Sequence, residues 1–184
     1  MEITIGIDNG TTGSIGIIVQ DEQENRAIFV ETPSKMSILG KKERHIRRID
    51  HFALRELLTT YALLPSVSRK NSNATAIIHA YIERPFTGRF LGAVLPAQRS
   101  FEAVLIILEQ LCIPYTVIDS KEWQKSQLPD IKGSKELKEA SCVLGRLKWP
   151  ELAAMVLKHG DADGLMIADY YHNKVVLLTS KDDD

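Results

Sequence analysis

The stretch "IGIDNGTTGSIGIIV", residues 5–19, decides how the chain is read. Ile5 and Ile7 alternate with Gly6 and Asp8, a period-two pattern that ends in a carboxylate. Glycines at 10, 13 and 16 then permit a tight reversal into a second apolar run. An acid at the end of a buried strand, with glycines clearing space beside it, fits a carboxylate that holds something positive while something bulky and anionic comes close. The duller reading is that Asp8 opens a "DNG" turn.

Outward from this hairpin, residues 2–8, 13–20 and about 26–32 read as three consecutive antiparallel strands, separated by "NG" and by "DEQEN". "IDHFALRELLTTYALL" from Ile49 carries apolar residues at a helical period until Pro65. "ATAIIHAYIE" is a buried strand ending at a second carboxylate, Glu83, and "QRSFEAVLIILEQL" is a strongly apolar helix. "PYTVIDS" is a short strand, followed by helical segments near 120–127 and 134–147 and a last helix from about Ala162 to Tyr171. This order predicts an α/β fold: a mixed sheet of three antiparallel hairpin strands plus parallel strands, with helices on both faces. The segments Pro33–Arg48 and Thr87–Pro96 are expected to be mobile loops.

The 184 residues suit a single domain over 1–184, with about 174–184 as a tail. Hydrophobic content of 44% and charged content of 26% are ordinary for a globular chain. No apolar run is long enough to span a bilayer, and "MEITIGID" does not read as a signal peptide, so a cytoplasmic protein is expected. Cys112 and Cys142 lie far apart without metal-like spacing. The net charge of −1 gives no global sign of a polyanion partner, but Lys35, Lys41, Lys42, Arg44, Arg47 and Arg48 crowd one segment against the single acid Glu43. Local patches, not net charge, set where a polyanion docks.

Three acidic positions stand at structural edges beside apolar sequence: Asp8, Glu83, and the pair Asp161 and Asp163 in "HGDADGLMIADYY". Carboxylates gathered at adjacent strand ends repel one another unless a cation sits between them. Magnesium is held by a few carboxylates while keeping water and phosphate oxygens, and two such ions support phosphodiester hydrolysis. Each acid also has a plain role: a turn for Asp8, an arginine partner for Glu83, a helix cap for Asp161.

Five segments in register resemble the RuvC-type Holliday junction resolvases of the ribonuclease H-like superfamily, nearer their phage and chloroplast branch. They are "IGIDNGTTGSIGII", "AYIERPF", "QRSFEAVLIILEQLCIPYTVIDSKEWQKSQL", "GSKELKEAS" and "DADGLMIADYY". The resemblance implies a homodimeric endonuclease, dependent on Mg2+ or Mn2+ with two ions per site, that cuts four-way DNA junctions by paired symmetric nicks. No organic cofactor and no membrane are implied, and a phage origin would place the protein in a host cytoplasm. Asp8, Glu83 and Asp163 carry over as metal ligands and catalytic groups. For the fourth ligand, Asp161 ranks ahead of His159. Lys121, Lys132, Lys135 and Lys138 are implied as phosphate contacts, Arg84, Arg89 and Arg99 as grips on the backbone, and Phe86 or Phe90 as a wedge at the crossover. Trp123 reads as packing.

Three other readings remain. An actin- or sugar-kinase-type ATP-binding protein also begins with an acid and "GTT", but needs a second lobe this length does not hold. A ribosomal-RNA-processing nuclease shares the acidic glycine hairpin. A non-catalytic junction-binding module would follow if the fourth ligand were missing.

Overall fold

Alternation along the first two strands sorts their side chains onto opposite faces, and the rest of the chain is built on those faces. The computed structural model describes residues 1–21, 25–39, 44–63, 76–85, 87–88 and 91–179. Strands β1 (Glu2–Ile7), β2 (Ser14–Gln20) and β3 (Asn25–Glu31) pair antiparallel in sequence. β6 (Ile77–Glu83) joins β1 in parallel, and β7 (Tyr115–Ile118) joins β6 in parallel. The resulting five-stranded sheet has the order β3-β2-β1-β6-β7. This is the mixed sheet expected from the sequence.

One face carries Ile3, Ile5, Ile7, Ile15, Ile17 and Val19, all with no exposed surface. They pack with Leu54, Leu57 and Leu58 of α1 (His51–Leu58) and with Val104, Ile107 and Leu108 of α2 (Leu91–Gln110). Burying each such side chain contributes on the order of 2 kcal/mol. The other face is covered by α3 (Ser120–Gln127), α4 (Ser134–Lys148), α5 (Ala153–His159) and α6 (Asp163–Thr179), with Trp123, Cys142, Val156, Leu165 and Met166 at its core. Trp123 is 1% exposed, so it packs, as the sequence suggested.

Glycine decides how closely α6 approaches. A Cβ on Gly6 would lie 2.3 Å from the carbonyl oxygen of Gly164, and one on Gly16 would lie 2.5 Å from the Cα of Leu165. Gly6 and Gly16 sit opposite each other across β1 and β2, and a Cβ on Gly164 would meet Ser14 O at 2.6 Å. Backbone therefore rests on backbone at this crossing. The space cleared by Gly16 is taken by the protein's own helix, not by an approaching anion.

Four segments differ from the sequence reading. Residues expected as a loop after Pro33 form a second, two-stranded sheet, β4 (Ser34–Leu39) with β5 (Arg44–Ile49). It is anchored where Ile49 enters the core and Asp50 caps α1, accepting from the amides of Phe52 and Ala53 and from Lys35 Nζ at 3.2 Å. α2 starts at Leu91 and carries Pro96 within it, so most of the second expected loop, from Leu91 to Pro96, is helix. Proline removes one helical hydrogen bond but does not end a helix whose other side is held by the core. A short helix, α5, fills "AAMVLKH", and α6 runs on to Thr179, through much of the segment set apart as a tail. No helix among the described residues is long and apolar enough to cross a membrane.

Candidate functional site

β1 and β6 run parallel, with Ile7 beside Ile82, so the residues that follow, Asp8 and Glu83, leave the same edge of the sheet together. The carboxyl edge of parallel strands is where open α/β sheets place their ligands. α6 arrives at that edge because the glycine crossing pins it to β1 and β2, and its first residue is Asp163. Gly160, with φ of +101°, ends α5 in the left-handed region and turns the chain into α6, placing Asp161 two residues ahead of the helix.

Carboxylate oxygens of Asp8, Asp161 and Asp163 lie within 4.8 Å of one another. Glu83 adjoins them: its carboxylate accepts hydrogen bonds from Asp8 and from the Ser120 hydroxyl. Four acids from three parts of the chain thus converge. Burial pushes Asp8 well above the usual carboxylate range, and the neighbouring Asp163, Glu83 and Asp161 push it further. Burial likewise raises Glu83, and burial with the Asp161 charge raises Asp163 to about 7. Such a cluster is held partly protonated until a cation replaces its protons.

Asp161 goes the other way. Burial would raise it, but His159 and Lys138 hold its carboxyl below the ordinary value. Lys138 Nζ lies 2.5 Å from Oδ2, and His159 Nε2 lies 3.4 Å from Oδ1. Oδ1 also accepts the Asp163 amide at 3.3 Å, so Asp161 opens α6 as a capping residue while standing in the acid cluster. His159 is the last residue of α5, not an exposed loop residue: its side chain is 8% exposed and edges onto Phe29. It backs Asp161 and lies outside the group formed by Asp8, Asp161 and Asp163.

Of the expected phosphate contacts, Lys138 alone among the four lysines reaches the acids. Lys135 pairs with Glu139 at 3.7 Å, and Lys121 and Lys132 are exposed. Arg84 is exposed just past β6, beside Glu83 in the chain. Arg99 lies instead with Arg48 and His51, lining a cavity of about 230 Å3 between α2 and β5. Phe86, Arg89 and Phe90 lie outside the described residues.

Three serines support the cluster and drew no notice in the sequence. Ser120 donates to Glu83, Ser141 donates to Asp163 and accepts the Ala162 amide, and Ser14 accepts the Gly164 amide. Ser120 follows the capping Asp119 and was findable on that ground. Ser141 sits within "KEASCVL", where nothing local marks it.

No family model matches the chain, and no curated protein matches it. Solved structures similar to it include T. thermophilus RuvC in complex with Holliday junction substrate, at 16% identity over 91% of this chain and 90% of that one, with a TM-score of 0.45. Another is the Thermus thermophilus RuvC structure, at 15% identity over 90% of each chain, with a TM-score of 0.45.

Proposed function

We propose that the chain is a metal-dependent endonuclease that hydrolyses phosphodiester bonds in branched DNA and resolves four-way junctions by paired symmetric nicks. The observation that carries this reading is the convergence of Asp8, Glu83, Asp161 and Asp163 at the carboxyl edge of β1 and β6. The donor set is all oxygen, half-buried to buried and mutually repulsive, which fits hard divalent cations such as Mg2+ or Mn2+. Asp8, Glu83, Asp161 and Asp163 would together hold the ions. Bound there, the ions would supply Lewis-acid stabilisation of the charge that develops on the phosphate oxygens.

The residues of the chain do the rest. Ser120 and Ser141 fix the rotamers of Glu83 and Asp163 by donating to them. Lys138 neutralises Asp161 and, as a cation beside the reacting phosphate, offsets charge there. Burial on both sides of the cluster limits water around the acids, which strengthens each of these interactions. Exposed Arg84, next to Glu83 in the chain, would contact the DNA backbone.

Paired nicks require two such centres related by a two-fold axis, hence a homodimer. α2 is half core, through Val104 and Leu108, and half free, with Leu95 56% and Ile106 45% exposed. Its free side is the surface this reading assigns to the partner copy.

The test is cleavage of a labelled four-way DNA junction in magnesium by wild type and by Asp8→Asn. Paired nicks from wild type, a fall of at least about 10^3-fold for the variant, and retained junction binding by both are expected. Intact junctions with wild type would refute the enzyme reading, and cleavage of structured RNA alone would move the substrate to RNA.

A further inference from the structure

A second polar cavity opens on the far side of Asp161, about 240 Å3 in volume and walled by four separate parts of the chain. Thr11, Thr12 and Gly13 come from the turn between β1 and β2, and Thr32 and Ser34 flank Pro33. Arg47 comes from β5, and Lys158 with His159 closes the cavity from the end of α5. The cavity adjoins the acid cluster at two points. A Cβ on Gly13 would lie 3.0 Å from Asp8 Oδ2, and His159 touches Asp161.

Its chemistry is that of an anion site. Arg47 and Lys158 have no ion-pair partner among the described residues, and three hydroxyl-bearing threonines share the wall with them. Thr32 is 5% exposed, yet its Oγ1 makes no hydrogen bond among the described residues. A buried hydroxyl without a partner is costly unless a ligand supplies one. The one carboxylate on the wall, Glu31, is exposed, as Arg47 and Lys158 are, and its charge acts on His159. The volume lies below the usual range for an organic ligand and suits a single phosphate group. A neighbouring apolar cleft of about 480 Å3, lined by Phe29, Tyr61 and Met155, shares Glu31 and Lys158 with this cavity and offers room for an attached sugar and base.

We propose that this cavity holds a backbone phosphate of the nucleic-acid strand being cut, next to the phosphate at the acid cluster, and that the β4–β5 hairpin contributes Arg47 to complete it. The inference rests on the nuclease reading for the identity of the strand. It differs from it in assigning the second sheet and the α5 terminus to substrate positioning.

The experiment uses the full chain carrying Asp8→Asn, titrated onto a fluorescent four-way DNA junction across a salt series, with wild-type cleavage measured alongside. Adding Arg47→Ala and Lys158→Ala is expected to weaken binding at least about tenfold and to reduce the slope of log affinity against log salt by about 0.9, the value for one phosphate. Adding Thr32→Val is expected to weaken binding about threefold with an unchanged salt slope and no loss of melting temperature, which a diffuse basic surface would not produce. Folded variants that bind within twofold of the Asp8→Asn parent overturn the proposal, as does a parent that does not bind. If wild type cleaves while the variants bind like the parent, the cavity alone fails. If wild type never cleaves but the variants lose affinity, the cavity stands and the nuclease reading fails.

Discussion

Raising the pH without divalent metal should destabilise this protein, and the size of the effect follows from Asp163. Its carboxyl is raised from an ordinary 3.8 to about 7 by burial and by the charge on Asp161. Below pH 3.8 the folded and unfolded chains both carry the proton, so nothing is lost. Between there and about 7 the folded protein keeps a proton that the unfolded chain has released, so stability falls as pH rises through this window and levels off above it. The displacement is worth about 4 kcal/mol at most. For a chain of this size that is a fall of up to roughly 16 °C in melting temperature, most of it between pH 5 and 8. Asp8 and Glu83 are raised and act in the same direction. His159, raised by Asp161, contributes stability below its unfolded value of 6.5 that is lost as pH rises through its folded value, which adds to the trend. Asp161 is lowered, and its contribution is lost only below this range; Lys138 is raised, and its contribution is lost only above it. The assay is thermal unfolding in chelator from pH 5 to 8, repeated with Mn2+ and with Asp163→Asn. Mn2+ at about a hundred times its dissociation constant should restore about 2.7 kcal/mol at pH 8 and much less at pH 5. Asp163→Asn should flatten the pH slope and melt higher than wild type at pH 8 in chelator. A melting temperature independent of pH, or an Asp163→Asn protein that is less stable at pH 8 without metal, would refute the electrostatic account of the cluster.

Other perturbations have defined outcomes. Gly6→Ala puts a methyl 2.3 Å from the α6 backbone, and denaturant unfolding should show a loss of about 3 kcal/mol or more, with soluble folded protein sharply reduced. Trp123→Ala empties the largest buried side chain on the α3–α6 face and should cost about 3–5 kcal/mol by the same measurement, with the pH trend above retained. Lys138→Met removes the cation that holds down Asp8, Glu83 and Asp163, so the acidic limb of the cleavage pH profile should move to higher pH. An unmoved limb would mean that Lys138 serves Asp161 alone.

The first strand was legible because its side chains alternate with a period of two, and the next two because they are short apolar runs bounded by turn residues. Asp8 and Glu83 were legible for the same reason, each falling one step past a buried run. The β4–β5 hairpin was not, because its signal is weak: Met36 and Ile38 alternate with Lys35 and Ser37, but "RHIRRI" reads as a charge run. A two-stranded sheet buries little on its outer side, so composition there is free to be basic. Pro96 misled by marking a stop where packing of α2 overrides a missing hydrogen bond. For the fourth acid, sequence spacing alone could not place Asp161. Its inclusion depends on the reversal at Gly160 and on α6 starting at Asp163. Ser141 depends on how α4 lies against α6, which no local pattern encodes.

The glycine seat beneath the last helix also governs when the acid cluster can assemble. Residues 6 and 16 wait, unfilled, until about 150 further positions have been synthesised and the terminal helix can dock on them. Contacts so distant along the polymer form late and slowly. A nascent chain therefore carries Asp8 and Glu83 without Asp161 and Asp163, and the acid cluster is complete only when assembly is finished.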